Sequence, residues 1–182
     1  MKSSTTLDTY SERIAQVLDE HRLVLAERWL VRLNEILTVE PGDVFPSDQL
    51  LDHIPALIGD MAAYLRAPAE EEIAANSTVI DKARELGELR HGQRASVHQL
   101  LREYEILGEL LEDFVADTTK QLALQPTPDE CFEVQRRLAH SARTLMRTTV
   151  DTFLAKYTTA LDERNQRLEQ FNRMASHELR TP

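Results

Sequence analysis

The chain has 182 residues, of which 42% are hydrophobic and 29% charged, a balance typical of a globular protein and too apolar for a disordered one. Its net charge of −10 argues against direct nucleic-acid binding, which needs concentrated positive charge to displace phosphate counterions. The single cysteine, Cys131, excludes an internal disulfide framework and a thiolate zinc site.

Only five glycines and seven prolines interrupt the chain, so long helices and an all-α fold are expected. The longest apolar runs, such as Leu23-Val24-Leu25-Ala26, fall far short of a membrane span. The start, Met1-Lys2-Ser3-Ser4, leads into polar residues rather than a signal core, so a cytoplasmic location is expected.

A first helical period runs from about Leu7 to Leu37, with Ile14, Val17, Leu18, Leu25, Trp29, Leu33 and Ile36 on one face, and Pro41-Gly42 stops it. A second begins near Ser47 or Asp48 as N-cap and carries Leu50, Leu51, Ile54, Leu57, Ile58, Met61 and Leu65. Pro55 lies inside that pattern and either kinks the helix or marks its true first turn. The acidic stretch from Glu70 to Asn76 reads as a loop or a helix start. A third helix covers Val79 to Leu89, and His91-Gly92-Gln93 is the expected break. Ser96 and Gln99 then fit a capping box that opens a helix bearing Val97, Leu100, Leu101, Tyr104, Leu107, Leu111, Phe114 and Val115.

Thr127-Pro128-Asp129-Glu130 supplies the clearest boundary: an N-cap, a proline suited to the first helical position and a capping-box acid. From there to Arg180 no proline or glycine occurs, which predicts a rod roughly 80 Å long. Leu138, Ala142, Leu145, Met146, Thr149 and Phe153 suit packing into the bundle. Val150, Leu154, Tyr157, Leu161, Arg164, Leu168, Phe171 and Ala175 follow an unbroken four-three alternation, a heptad seam with one charged member. A parallel dimeric coiled coil is the economical reading, because a lone helix leaves such a stripe in water. The competing reading folds the stripe back onto its own domain. The expected organisation is therefore an N-terminal helical domain over 1–126 with its last bundle helix from 128–150, a coiled-coil helix over 150–170, and a third segment from 171 to 182.

That third segment, Phe171-Asn172-Arg173-Met174-Ala175-Ser176-His177-Glu178-Leu179-Arg180-Thr181-Pro182, resembles the phosphoacceptor box of bacterial sensor histidine kinases. The resemblance implies that His177 is the phosphoacceptor, since a neutral imidazole on a helix is the required nucleophile. It also implies that Glu178 assists proton removal and that Thr181 orients water during dephosphorylation of a response regulator. Arg180 and Pro182 match the pattern, and Phe171 and Met174 would lie in the dimer interior. No second phosphotransfer helix, ATP-binding domain or glycine-rich phosphate loop is present, so the chain is expected to be the input half of a kinase and inactive alone. ATP and magnesium belong to the full-length parent, with no cofactor or metal expected in these residues. A homodimer, a response regulator and an unidentified signal ligand or protein are the partners implied.

The stretch from about Leu7 to Leu124 resembles the all-helical N-terminal domain of RsbRD-type stress regulators, a bundle-like or globin-like input. The residues that carry this are Glu27-Arg28-Trp29-Leu30, Asp52-His53-Ile54-Pro55-Ala56-Leu57, and Arg90-His91-Gly92 followed by Leu100 to Leu107. Two alternatives stand beside a signal-relaying sensor: a ligand-independent dimerisation or docking scaffold, and a haem-based gas sensor. Among the six histidines, His98 and His140 are the candidates for a proximal haem ligand, although none of the six forms a metal-binding pair. Arg90, Arg94, Arg102 and Glu103 line a polar pocket or pair within their helices, the latter being the simpler reading.

Overall fold

In the computed structural model the described residues are 4–36, 49–66 and 77–178, and they form six helices with no strand among them. These are α1 (Ser4–Glu20), α2 (Arg22–Ile36), α3 (Gln49–Arg66), α4 (Ser77–Gly92), α5 (Val97–Gln121) and α6 (Pro128–Glu178). The expected stop at Pro41-Gly42, the N-cap at Ser47 or Asp48 and the acidic stretch 70–76 fall outside the described residues.

The first helical period is not one helix. The chain breaks at His21, whose Nδ1 lies 2.9 Å from the Val17 carbonyl, and α1 and α2 then both pack on α3. The apolar spacing gave no warning, because a break of one residue leaves Leu18, Leu25, Trp29 and Leu33 buried on the same side. Helix α3 runs through Pro55, which is buried with Ile54, Leu57, Ile58, Met61 and Leu65, so the proline lies inside the helix and not in its first turn.

Most of the predicted core is buried: Leu100, Tyr104, Leu107, Leu111 and Val115 from α5, and Leu138, Leu145, Thr149 and Phe153 from α6. Leu101 is exposed instead, and Phe114 is half-buried. The N-terminal half of α6 is the central element, touching α1, α3, α4 and α5. Polar ties hold the helices in register. Ser11 Oγ donates to the Leu65 carbonyl at 2.7 Å, and Arg137 reaches the same carbonyl at 3.2 Å, so an orphan acceptor in the last turn of α3 is satisfied from α1 and α6. Tyr10 and Thr119 hydroxyls meet at 2.8 Å between α1 and α5.

The helix ends obey local chemistry. At α6 the capping box is complete: Glu130 accepts from the Thr127 amide at 2.6 Å, and Thr127 Oγ1 accepts from the Glu130 amide at 3.3 Å. At α5 only half of the expected box forms. Ser96 Oγ accepts from the Gln99 amide at 3.0 Å, while the Gln99 side chain bonds to Glu103.

Helices α4 and α5 both end in Schellman motifs on non-glycine residues. Arg94 has φ 58° and Ala123 φ 48°, with Ala95 N–H donating to Arg90 C=O and Leu124 N–H to Thr119 C=O, each at 3.0 Å. The break expected at His91-Gly92-Gln93 is therefore real, but the left-handed residue is Arg94 and not the glycine. A left-handed residue with a Cβ costs about 1 kcal/mol, so Ala123→Gly is expected to stabilise the fold by roughly that amount, raising Tm by about 2–4 °C in a calorimetric scan.

Candidate functional site

Two features gather the groups able to carry function: the rod that α6 makes beyond the bundle, and a buried polar cluster at its base. Helix α6 spans 51 residues in one run, about 75 Å of rise. Its last buried residue is Phe153 among those whose side chains are described. Leu154, Tyr157, Leu161, Leu168, Phe171 and Met174 are all exposed, Phe171 by 63%. The seam does not fold back onto its own domain; the last tie to the bundle is the ion pair of Lys156 with Glu88 at 2.9 Å.

His177 and Glu178 lie in the final turn of α6, and their side chains are outside the described residues. Thr181, with Arg180 and Pro182, also lies outside them. His177 is thus placed on the continuous helix that begins in the bundle core, at the far end from it.

At the base of the rod, Arg90 is 0% exposed and pairs directly with Glu103, itself buried, while its Nη1 donates to Gln93 Oε1 at 2.5 Å. Arg90 Nε has no hydrogen-bond partner among the described residues. Burial pushes the Glu103 carboxyl up to about 6, against the opposing pull of Arg90 and the Gln99 hydrogen bond. The Trp29 indole donates to the Glu103 carbonyl at 2.9 Å, tying α2 to the same point. One residue on, the Tyr104 hydroxyl meets Thr149 Oγ1 at 2.7 Å, and Thr149 Oγ1 reaches the Ala83 carbonyl at 3.1 Å. Complete burial drives the Tyr104 phenol well above its ordinary value, so it stays neutral. Helices α2, α4, α5 and α6 therefore converge on one polar network. The His91 ring stands edge-on to Phe153 at 5.8 Å just above it.

Intrahelical pairing holds for Arg102, which bonds Glu105 at 2.9 Å, but not for Arg90 and Glu103, which pair across α4 and α5. The sequence hides this because thirteen positions of turn and helix separate partners that only the α4–α5 packing brings together. Gly87 was likewise silent. A Cβ there would lie 2.5 Å from the Thr149 carbonyl oxygen, so the glycine lets α4 and α6 approach backbone to backbone. A lone glycine inside a helical period was the available signal.

His98 and His140 are exposed, and no group of three or more metal-capable side chains gathers among the described residues. A solvent-open cleft of ≈ 730 Å³ lies between α2 and α5, bordered by His21, Arg28, Arg32, Asp113 and Phe114. A small gap between α5 and α6, lined by Gly108, Leu111, Leu138 and Ala142, is only ≈ 30 Å³. Neither has the enclosed apolar shape a haem needs. No helix among the described residues is long and apolar enough to cross a membrane.

Residues 23–168 match the RsbT co-antagonist protein RsbRD N-terminal domain, from α2 through the bundle and most of the rod. No curated protein and no solved structure matches the chain. The match takes in the polar network and the seam as far as Leu168, and stops short of Phe171 and His177. A sensor-like helical signalling domain is what this architecture amounts to, and the chain belongs to the RsbRD N-terminal domain family.

Proposed function

We propose that the chain is the cytoplasmic sensor and dimerisation region of a two-component sensor histidine kinase, with His177 as the phosphoacceptor. The observation that carries this reading is the continuity of α6, which starts in the core of a sensor-like bundle and ends on a residue-by-residue match to the phosphoacceptor box. A repacking of the bundle is felt by α6 through Thr149 and Phe153, and a rigid helix transmits it as a rotation, tilt or register change. The exposed heptad seam supplies the pairing surface for a parallel homodimer. In the parent kinase, a neutral ring nitrogen of His177 attacks the γ-phosphoryl of magnesium-bound ATP. The N–P bond forms, the bond to ADP breaks, and Glu178 takes up the ring proton. The phosphoryl group then passes to a response regulator, and in the opposing phosphatase step Thr181 orients the water that hydrolyses it from the regulator as inorganic phosphate.

The test is phosphorylation of the full-length parent with labelled ATP. Acid-labile, base-stable label is expected in the wild type and none in His177→Gln, while circular dichroism of the variant is unchanged. Label retained in His177→Gln would sink the assignment.

A second reading, a scaffold whose bundle only dimerises or docks proteins, draws on the surface: the ≈ 730 Å³ cleft between α2 and α5 is open to solvent.

A further inference from the structure

The alternation of the seam does not stop at Val150. Counted backwards in the same three-four steps it passes through Arg147, Arg143, His140 and Arg136, so an apolar seam becomes a basic one where the rod enters the bundle. All four are exposed. The buried residues of this stretch are Val134, Leu138, Ser141, Leu145, Thr149 and Phe153. Each of the three arginines stands two positions from buried residues on both sides, about 200° around the helix, so they lie on the side of α6 opposite the core, with His140 at the edge of the stripe, 6.0 Å from the Tyr64 ring of α3. Two α6 helices paired through Leu154, Tyr157 and Leu161 therefore carry these arginines face to face, with both bundles turned outward.

The charges on the stripe are only partly met within the chain. Arg136 is bound by Glu133 at 2.7 and 2.8 Å, and Arg147 lies 3.7 Å from Asp151, both of those side chains being largely exposed. Arg143 donates only to the Ala139 carbonyl, at 3.0 Å, and forms no ion pair among the described residues. In a chain of net charge −10 this is a concentrated positive strip, and pairing doubles it at an interaxial distance of about 10 Å.

We infer that the facing Arg143 and Arg147 side chains of two paired rods form a binding site for a small multivalent phosphoryl anion at the junction of rod and bundles. Four guanidinium forks, two from each copy, match phosphoryl oxygens in pairs. An anion held there cancels the repulsion that otherwise splays the bases of the rods, so its binding and dimerisation are linked. The inference rests on the parallel pairing proposed above.

The experiment is sedimentation of the 182-residue chain over a concentration series, with inorganic tripolyphosphate or with sodium chloride at equal ionic strength. Tripolyphosphate, and not chloride, is expected to tighten the dimer about tenfold, and Arg143→Gln/Arg147→Gln is expected to dimerise without that response. Both arginines lie away from the core, so the variant keeps its helicity, which circular dichroism checks. A dimer indifferent to tripolyphosphate overturns the anion site and leaves the seam standing. A response that survives in the double variant also overturns it, as an adventitious ion only. A chain that stays monomeric throughout fails the pairing reading and the anion site together.

Discussion

Arg90→Met is expected to lower stability by about 3–5 kcal/mol, the cost of leaving one member of a buried ion pair without its partner. Glu103 is buried, and its carboxyl has no comparable cation in reach among the described residues. The double variant Arg90→Met/Glu103→Leu removes both charges and is expected to recover most of the loss, as an apolar replacement of a buried pair commonly does. Urea unfolding of the two variants and the wild type measures both effects. A single variant as stable as the wild type would mean that the pair contributes nothing to the fold.

The same pair sets a pH dependence whose sign follows from its raised carboxyl. Glu103 holds its proton more tightly in the folded chain, at about 6, than at the ordinary 4.5. Its contribution to stability is therefore fully present below about 4.5 and is lost as the pH rises through about 6. Glu133 runs the other way: hydrogen bonds from Arg136 and then Arg137 lower it to about 2, so its contribution is present above 4.5 and disappears as the pH falls toward 2. Urea midpoints between pH 4.5 and 6 should lose the Glu103 slope in Glu103→Gln and keep it in Glu133→Gln.

Gly87→Val is expected to destabilise by about 3 kcal/mol, because the added carbons have to displace backbone. The nearest atoms are the Thr149 carbonyl oxygen at 2.5 Å, Thr152 Cβ at 3.0 Å and the Phe153 amide nitrogen at 3.3 Å, all on the stretch of α6 that leads into the rod. Gly108→Ala is the natural control, with the opposite sign. Its Cβ meets nothing within 4 Å, borders the ≈ 30 Å³ gap and gains helix propensity, so stabilisation of about 1 kcal/mol is expected. Thermal unfolding of the two variants side by side separates a close helix crossing from an incidental glycine.

Much of this molecule was legible from residue order, and the legible parts share a physical origin. Capping at Thr127 and Glu130, the stop before Gln93, the apolar faces of α3 and α5, and the heptad beyond Val150 are all decided by neighbours within a few positions. The likeness of 171–182 to a phosphoacceptor box, on which the proposed function rests, is likewise a contiguous local pattern. The split at His21 was not legible, because both halves keep one apolar side and pack on the same helix, α3. The left-handed Arg94 escaped notice because glycine, the usual occupant, sits two positions earlier.

Local backbone preference and side-chain period lay out most of the helices, the rod and the place of His177 at its end. The pairing of Arg90 with Glu103, the meeting of Tyr104 with Thr149 and the approach of α4 to α6 at Gly87 come from packing between helices. Those partners stand thirteen, forty-five and sixty-two residues apart, and the free energy that joins them comes from burying whole helix faces together, which no local pattern records.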